Sequence, residues 1–243
     1  MPRKARIESA SDRDAAPGGT AAVDRALSLL AAFQPGDDGL ALADFAQRTQ
    51  LYKSTVLRLL ASLEHAGLVQ RRGDGRYALG PEVARLHGLY AAAFSLESVV
   101  MPVLQALVAA TGESAAWHVR QPQPGGGWAR LCLYRIDSPH VLRDHVRPGD
   151  LLPADRGAGA RVLIAFGPDA GADDPALYQR IRDQGFCALV GDRSPELAGI
   201  SAPAFHADGS LAGAVTLTMP SHRYDPAAIP AVREAAAKLS GRV

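Results

Sequence analysis

The 243-residue sequence predicts an α+β chain of two domains, on three observations. Residues 39–79 read as helix, tight turn, second helix and a short arginine-bearing hairpin. Residues 81–110 carry two more apolar-periodic helices that separate this block from the remainder of the chain. From Ser114 onward, short β-rich runs alternate with short helices and close on a hairpin at Asp208-Gly209. The length is comfortable for two domains, and 47% apolar with 21% charged residues is ordinary for a globular protein.

No apolar run approaches the roughly 18 residues needed to cross a bilayer, so no membrane partner is expected. Residues 1–19, MPRKARIESASDRDAAPGG, have no apolar segment of the kind a secretory signal needs and read as a disordered arm. Cys132 and Cys187 are far apart, with no CxxC, which fits a reduced cytoplasmic protein without structural zinc. No metal and no cofactor is expected. The net charge of +1 conceals an asymmetry. Between Arg48 and Arg76 six basic residues stand against two acidic ones, whereas from Pro81 onward 15 basic residues face 16 acidic ones. Such a local surplus is what phosphate neutralisation requires.

The elements are taken in chain order. Val23, Ala26, Leu27 and Leu30 recur at i, i+3, i+4, i+7 and predict an amphipathic helix over 22–33, ended by Pro35-Gly36. A short helix over 42–48 buries Leu42, Phe45 and Ala46; the turn is at 49–52. A third helix, 53–65, gathers Val56, Leu59, Leu60 and Leu63 on one face and sets Ser54, Arg58, Ser62 and His65 opposite, with Thr55 at the margin. Its first turns carry Lys53, Ser54, Thr55 and Arg58, the part of a recognition helix that meets base edges and phosphates. Arginine forks to guanine O6 and N7, and hydroxyls bond phosphates or base edges. Gly67 stops the helix, because a residue without Cβ accepts the left-handed backbone there. Runs 68–72 and 76–79 flank Gly73-Asp74-Gly75, a hairpin signal, and Arg71, Arg72 and Arg76 make it a candidate phosphate-contacting wing. Arg25 on the first helix joins the candidate DNA-binding set.

A connecting helix is expected over 82–94 with Val83, Leu86, Leu89 and Tyr90 as its stripe, then a helix over 96–110. The rest reads as strands 114–120 and 129–136 around the irregular QPQPGGGW, a third strand 141–146, helices 158–166 and 175–184, two closing strands, and a terminal helix from about Pro226. With Asp208-Gly209 as the central turn residues, Ser201 faces Thr216, Gly199 faces Thr218 and Pro203 faces Ala214. One sheet face then carries Gly199, Ser201, Pro203, Ala214, Thr216 and Thr218, small and hydroxyl-bearing. The other carries Ile200, Ala202, Ala204, Val215 and Leu217. The small face either leaves room for a small ligand or meets water.

AVDRALSLLAAF, LADFAQRTQLYKSTVLRLLASLEHAGLVQR and GRYALG resemble the winged helix-turn-helix of IclR-type bacterial transcriptional regulators. The likeness continues, more loosely, through GDLLPADRGAGARVLIAF, IRDQGF and ISAPAFHADGSLAGAVTLTMPSHRY. It implies a winged helix-turn-helix DNA-binding domain at 20–80, a linker helix at 81–95, and a GAF-like effector-binding and oligomerisation domain with an antiparallel sheet at 96–243. It implies double-stranded operator DNA, a small-molecule effector, and a homodimer or homotetramer. Carried onto this sequence, the family's effector pocket falls on Ala158, Gly159, Gly199, Thr216 and Thr218, with Ser201 alongside.

The chain departs from the family's pattern at Ala41, where Ser or Thr usually caps the second helix, at Gln50, usually Gly, and at Tyr52, usually Pro. It also lacks the cysteine often found near Gly199 and the acidic residue near Leu189. That shifts the expected effector from a small, highly polar acid such as glyoxylate toward larger organic or aromatic acids, with Arg143, Arg156 or Arg161 as carboxylate partners. Two other classes stand beside this reading. Cys187 with His118, His140, His145 or His206 would serve a GAF-like redox enzyme, although no recognised catalytic spacing ties them together. A purely architectural DNA-binding protein would leave the hydroxyl-lined face without a use.

Overall fold

The structure, a computed structural model, describes residues 9–13, 15–93, 96–123, 126–168 and 174–243. Phe94 and Ser95 of the expected connector, Pro124 and Gly125 of the expected loop, and residues 1–8 and Asp14 of the expected arm lie outside them. The chain divides into two compact units, Met1–Ala93 with Gln123–Gly127, and Phe94–Pro122 with Trp128–Val243.

In the first unit, α1 (Ala10–Arg13) is a single helical turn where the sequence suggested only an irregular arm. Its Asp12 accepts hydrogen bonds from Arg25 and, at 3.4 Å, from the Ser9 backbone N–H. Three helices come next, α2 (Ala21–Ala31), α3 (Leu42–Thr49) and α4 (Lys53–His65), then β1 (Val69–Arg71), β2 (Tyr77–Leu79) and α5 (Pro81–Ala93). Leu29, Phe45, Leu51, Val56, Leu60, Leu63, Val69 and Tyr77 form the core. Phe45 sits edge-on between Phe33 and Tyr77, with ring centroids 5.4 and 6.2 Å away. The buried stripe of α2 is Ala26, Leu29, Leu30 and Phe33, one turn beyond the stripe expected; Val23 and Leu27 are exposed. Both sets obey the helical period, and only packing decides between them.

The turn between α3 and α4 carries the chain's departure from glycine. Gln50 has φ +58°, the one non-glycine residue with positive φ among the described residues. Ala41 offers no side-chain cap to α3, but Asp44 supplies half of a capping box by accepting from the Ala41 N–H at 2.8 Å. At the far end of α4, Gly67 has φ +72° and Leu68 N–H returns to the Leu63 carbonyl at 2.9 Å, closing the helix as the glycine predicted. The β1–β2 hairpin pairs Val69 with Leu79 and Arg71 with Tyr77, and Leu40 bridges Tyr77 on its other side.

The second unit opens with α6 (Leu96–Thr111), followed by β3 (Ser114–Pro122), β4 (Trp128–Ile136), β5 (Leu151–Leu152), α7 (Ala158–Ala165), α8 (Pro175–Gln184), β6 (Cys187–Val190), β7 (Leu197–Phe205), β8 (Leu211–Pro220) and α9 (Ile229–Leu239). The strands form one antiparallel sheet in the order β5-β4-β3-β8-β7-β6. Ile200, Ala202, Ala204, Val215 and Leu217 pack with Val100, Leu104 and Leu107 of α6 and Val232, Ala236 and Leu239 of α9. The opposite face carries α7 and, behind it, α8.

The predicted β7–β8 register is observed: Gly199 with Thr218, Ser201 with Thr216, Pro203 with Ala214. The turn that produces it is different. His206 N–H bonds the Ser210 carbonyl at 2.8 Å, so the loop has one more residue than assumed, and a bulge between Ala204 and Phe205 in the pairing compensates. The strand expected at 141–146 is absent. The position beside β4 goes to Leu151–Leu152, while Val141 and Leu142 are exposed and the segment is held by side chains instead. Arg223 Nη2 donates to the Leu142 carbonyl at 3.0 Å, and Asp144 is gripped by two arginines.

Candidate DNA interface and ligand cleft

In the first unit, α4 turns Val56, Leu60 and Leu63 inward, so Lys53, Ser54 and Arg58 are exposed and Thr55 is half-buried. Its opening N–H groups come after Tyr52, which caps nothing with its side chain, and a helix N-terminus left open in this way suits a phosphate. Arg25, Thr55, Arg58 and Ser62 line one surface depression between α2 and α4. Arg25 is anchored by its pairing with Asp12. Arg48, counted in the basic surplus, is a structural residue: it donates to the Ala32 carbonyl at 2.8 Å and pairs with Asp37. On the wing, Arg71, Arg72 and Arg76 are exposed. Arg71 lies 5.8 Å over the Tyr77 ring, and Arg76 is only loosely paired, 4.0 Å from Asp74.

In the second unit, a narrow cleft, partly open to solvent, lies between the sheet and the start of α7. Ala158, Gly199, Thr216 and Thr218 line it. Gly159 is pressed against its floor: a Cβ there would stand 2.6 Å from Arg130 Nη1 and 2.8 Å from Thr216 Oγ1. Only glycine fits. Ser201 does not line the cleft. It is fully buried behind Thr216, donating to the Val215 carbonyl at 2.9 Å and lying 3.0 Å from Thr216 Oγ1. Thr216 Oγ1 in turn lies 3.1 Å from His118 Nδ1.

The arginines expected as carboxylate partners are engaged elsewhere. Arg156 pairs with Asp155, Arg143 with Asp137, and Arg161 with both Asp192 and the Tyr178 hydroxyl. Asp192, which sequence reasoning missed, lines the cleft and accepts from the Gly157 N–H at 2.5 Å. Burial raises its pKa, but the Arg161 guanidinium and the Gly157 N–H outweigh this and hold it below the ordinary aspartate value. Arg135 and Arg193 both clamp Asp144 at the cleft's edge.

Arg130 of β4, also missed, faces the cleft beside Arg135 and Arg193. It is 3% exposed, and its Nε and Nη2 find no hydrogen-bond partner among the described residues. Burial, then the neighbouring Arg193, push its pKa down to about 10. Burial and the positive charge of Arg130, Arg135 and Arg193 also drive His118 well below the usual histidine value, so its ring is neutral. The sequence held a signal for Arg130. Strand alternation sets it on the face of the buried Cys132, but nothing local shows that this face meets Thr216 and α7.

Cys187 is buried among Ala158, Val162, Tyr178 and Ile181, and burial pushes its thiol up to about 12. It is a packed, protonated side chain, not a poised nucleophile. Among the described residues, no group of three His, Cys, Asp or Glu could hold a metal, and no helix is long and apolar enough to cross a membrane.

A profile of the IclR helix-turn-helix domain matches residues 22–73. A regulator of Mycobacterium tuberculosis is 42% identical over 79 residues, 32% of this chain and 30% of that one. The transcriptional regulator BhcR of Paracoccus denitrificans is 26% identical over 240 residues, covering 90% of this chain and 84% of its own. Among solved structures, one described as an IclR transcriptional regulator from Silicibacter sp. aligns with a TM-score of 0.79 at 25% identity, over 91% of this chain and 95% of that one. An IclR homologue from Microbacterium hydrocarbonoxydans, solved with 4-hydroxybenzoate, aligns with a TM-score of 0.75 at 20% identity, over 90% and 97% of the two chains. Helix-turn-helix, wing and sheet domain thus recur together, and the chain belongs to the IclR family of DNA-binding transcriptional regulators.

Proposed function

We propose that this regulator senses a small organic acid in the cleft of its second unit and binds its operator through α4 and the β1–β2 wing. Lys53, Ser54, Thr55 and Arg58 read the groove, while Arg71, Arg72 and Arg76 hold the adjacent backbone, with Arg25 beside them. Ala158, Gly159, Gly199, Thr216 and Thr218 form the effector site, and Ser201 positions Thr216 from behind. The observation that carries this reading is the cleft itself: a small-residue sheet face that is roofed by α7 and carries hydroxyls, instead of lying open to water. The 4-hydroxybenzoate in one structural neighbour supports an organic acid of that general kind. A homodimer or homotetramer acting in the cytoplasm fits a regulator of this family reading a palindromic operator.

Thr216→Val with Thr218→Val removes two hydroxyls at nearly constant shape. The double variant is expected to lose the effector's influence on operator binding, measured by gel shift with a panel of organic acids, while operator affinity without effector stays within about 3-fold. An unchanged response would place the effector site elsewhere. A redox role for Cys187 is disfavoured by its burial and raised pKa.

A further inference from the structure

We infer that Arg130 is the charge partner of the effector, so that the cleft selects an amphipathic organic monoanion whose carboxylate seats against this guanidinium. The inference rests on the proposed effector cleft and adds the ligand's chemical class and the residue that sets it.

Three observations converge. First, Arg130 is a buried guanidinium that lacks partners for two of its three nitrogens among the described residues, which a protein interior tolerates poorly unless something else supplies the acceptors. Second, it abuts the N-terminus of α7, where Gly159 lets Nη1 approach and Gly157 stands beside Nη2. A helix N-terminus carries partial positive charge, and the anion already at this end, Asp192, is matched by Arg161, so it leaves the Arg130 charge uncompensated. Third, the acids lining the cleft are already matched. Asp144 is held by Arg135 and Arg193, and Asp192 by Arg161 and the Gly157 N–H. Neither lies within ion-pair distance of Arg130 among the described pairs.

The surroundings specify the rest of the ligand. His118 is buried and neutral; its Nε2 has no partner among the described residues, and its Nδ1 is committed to Thr216. It therefore offers a single neutral hydrogen-bonding site beside the charge. Val146, Leu152, Leu189 and Leu197 also line the cleft and suit an apolar body. A buried cation beside apolar side chains describes a carboxylate on a short aliphatic or aromatic frame.

The test uses the full chain and isothermal titration with 4-hydroxybenzoate, benzoate and pyruvate, each beside its neutral amide. Wild type is expected to bind at least one carboxylate and to bind its amide more weakly. Arg130→Met should weaken the carboxylate on the order of 10- to 100-fold, the size of a lost charge-assisted bond, and leave the amide within about 3-fold. Arg130→Lys keeps the charge without the planar fork and should recover part of the loss. Without ligand, Arg130→Met should melt at the same temperature as wild type or higher, because it removes an unpaired buried charge.

Each contrary result is decisive. Carboxylate binding that survives Arg130→Met but is lost in the Thr216→Val, Thr218→Val double variant refutes the role of Arg130 and leaves the cleft standing. Binding indifferent to both sets removes the cleft as well. Equal binding of acid and amide, no binding by any panel carboxylate, or ligand-free Arg130→Met and Arg130→Lys both melting several degrees lower overturns the inference.

Discussion

At the scale of single residues, this chain holds two local conformations at a cost to stability. Gln50 occupies the left-handed region at φ +58° between α3 and α4, where a side chain is strained by about 1 kcal/mol. Gln50→Gly is therefore expected to raise unfolding free energy by up to that amount in urea titrations, with operator affinity unchanged. His118 is the other case. Its folded pKa lies well below the ordinary imidazole value of 6.5, because of burial and then the positive charge of Arg130, Arg135 and Arg193. The unfolded chain takes up a proton near pH 6.5 that the folded chain refuses. The associated stability is thus complete above that pH and declines as pH falls below it. Between about pH 6.5 and 5, wild type should lose up to about 1.4 kcal/mol per pH unit more than His118→Asn. Equal slopes for the two proteins would mean that the ring is not held neutral.

At the scale of elements, the proposed DNA interface separates reading from holding. Helix α4 exposes Lys53, Ser54 and Arg58 because Val56, Leu60 and Leu63 claim its other face. The wing exposes Arg71 and Arg72 because Val69 and Tyr77 anchor it in the core. Arg58→Ala should weaken specific binding by about 1–3 kcal/mol and relax sequence preference at one position. Arg71→Ala with Arg72→Ala should weaken all sequences alike and flatten the salt dependence of log K by roughly two. Operator and scrambled duplexes titrated across a salt series separate these effects. If Arg58→Ala keeps both affinity and preference, α4 is not the reader.

At the scale of the whole molecule, an effector alters operator binding only through different affinity for two states of the protein. Such coupling is reciprocal. Whatever factor the effector imposes on operator affinity, saturating operator duplex must impose on effector affinity. Titrating the effector with and without duplex checks this, and the two factors should agree within about 2-fold. A one-way effect would show that the two sites are not linked by a binding equilibrium.

Much of this was legible in the sequence. Local rules placed α3, α4, the wing and the stop at Gly67, because helical period and turn chemistry are set by near neighbours, whereas Gln50 stood out only through the family resemblance. Taking Asp208-Gly209 as the central turn residues even yielded the β7–β8 register, although a longer loop and a bulge combined to produce it. Alternation failed at 141–146, where two exposed apolar residues imitate a strand and side-chain anchors hold the segment. The stripe on α2 was misplaced by one turn, since two registers satisfy the same period and only the core selects one.

The sequence by itself determined that this chain is a helix-turn-helix regulator with a second, α+β unit and a small-residue face on its sheet. Only the tertiary structure decided which charged groups that face meets. Arg143, Arg156 and Arg161 look as available in the sequence as any other arginine, yet each is paired, while Arg130 is buried against α7 without a full set of partners among the described residues. The physical reason is distance along the chain. Period and turns follow from residues a few positions apart, but whether a charge is satisfied depends on groups such as Asp192 and Thr216, which folding brings to α7 and β4 from far along the chain.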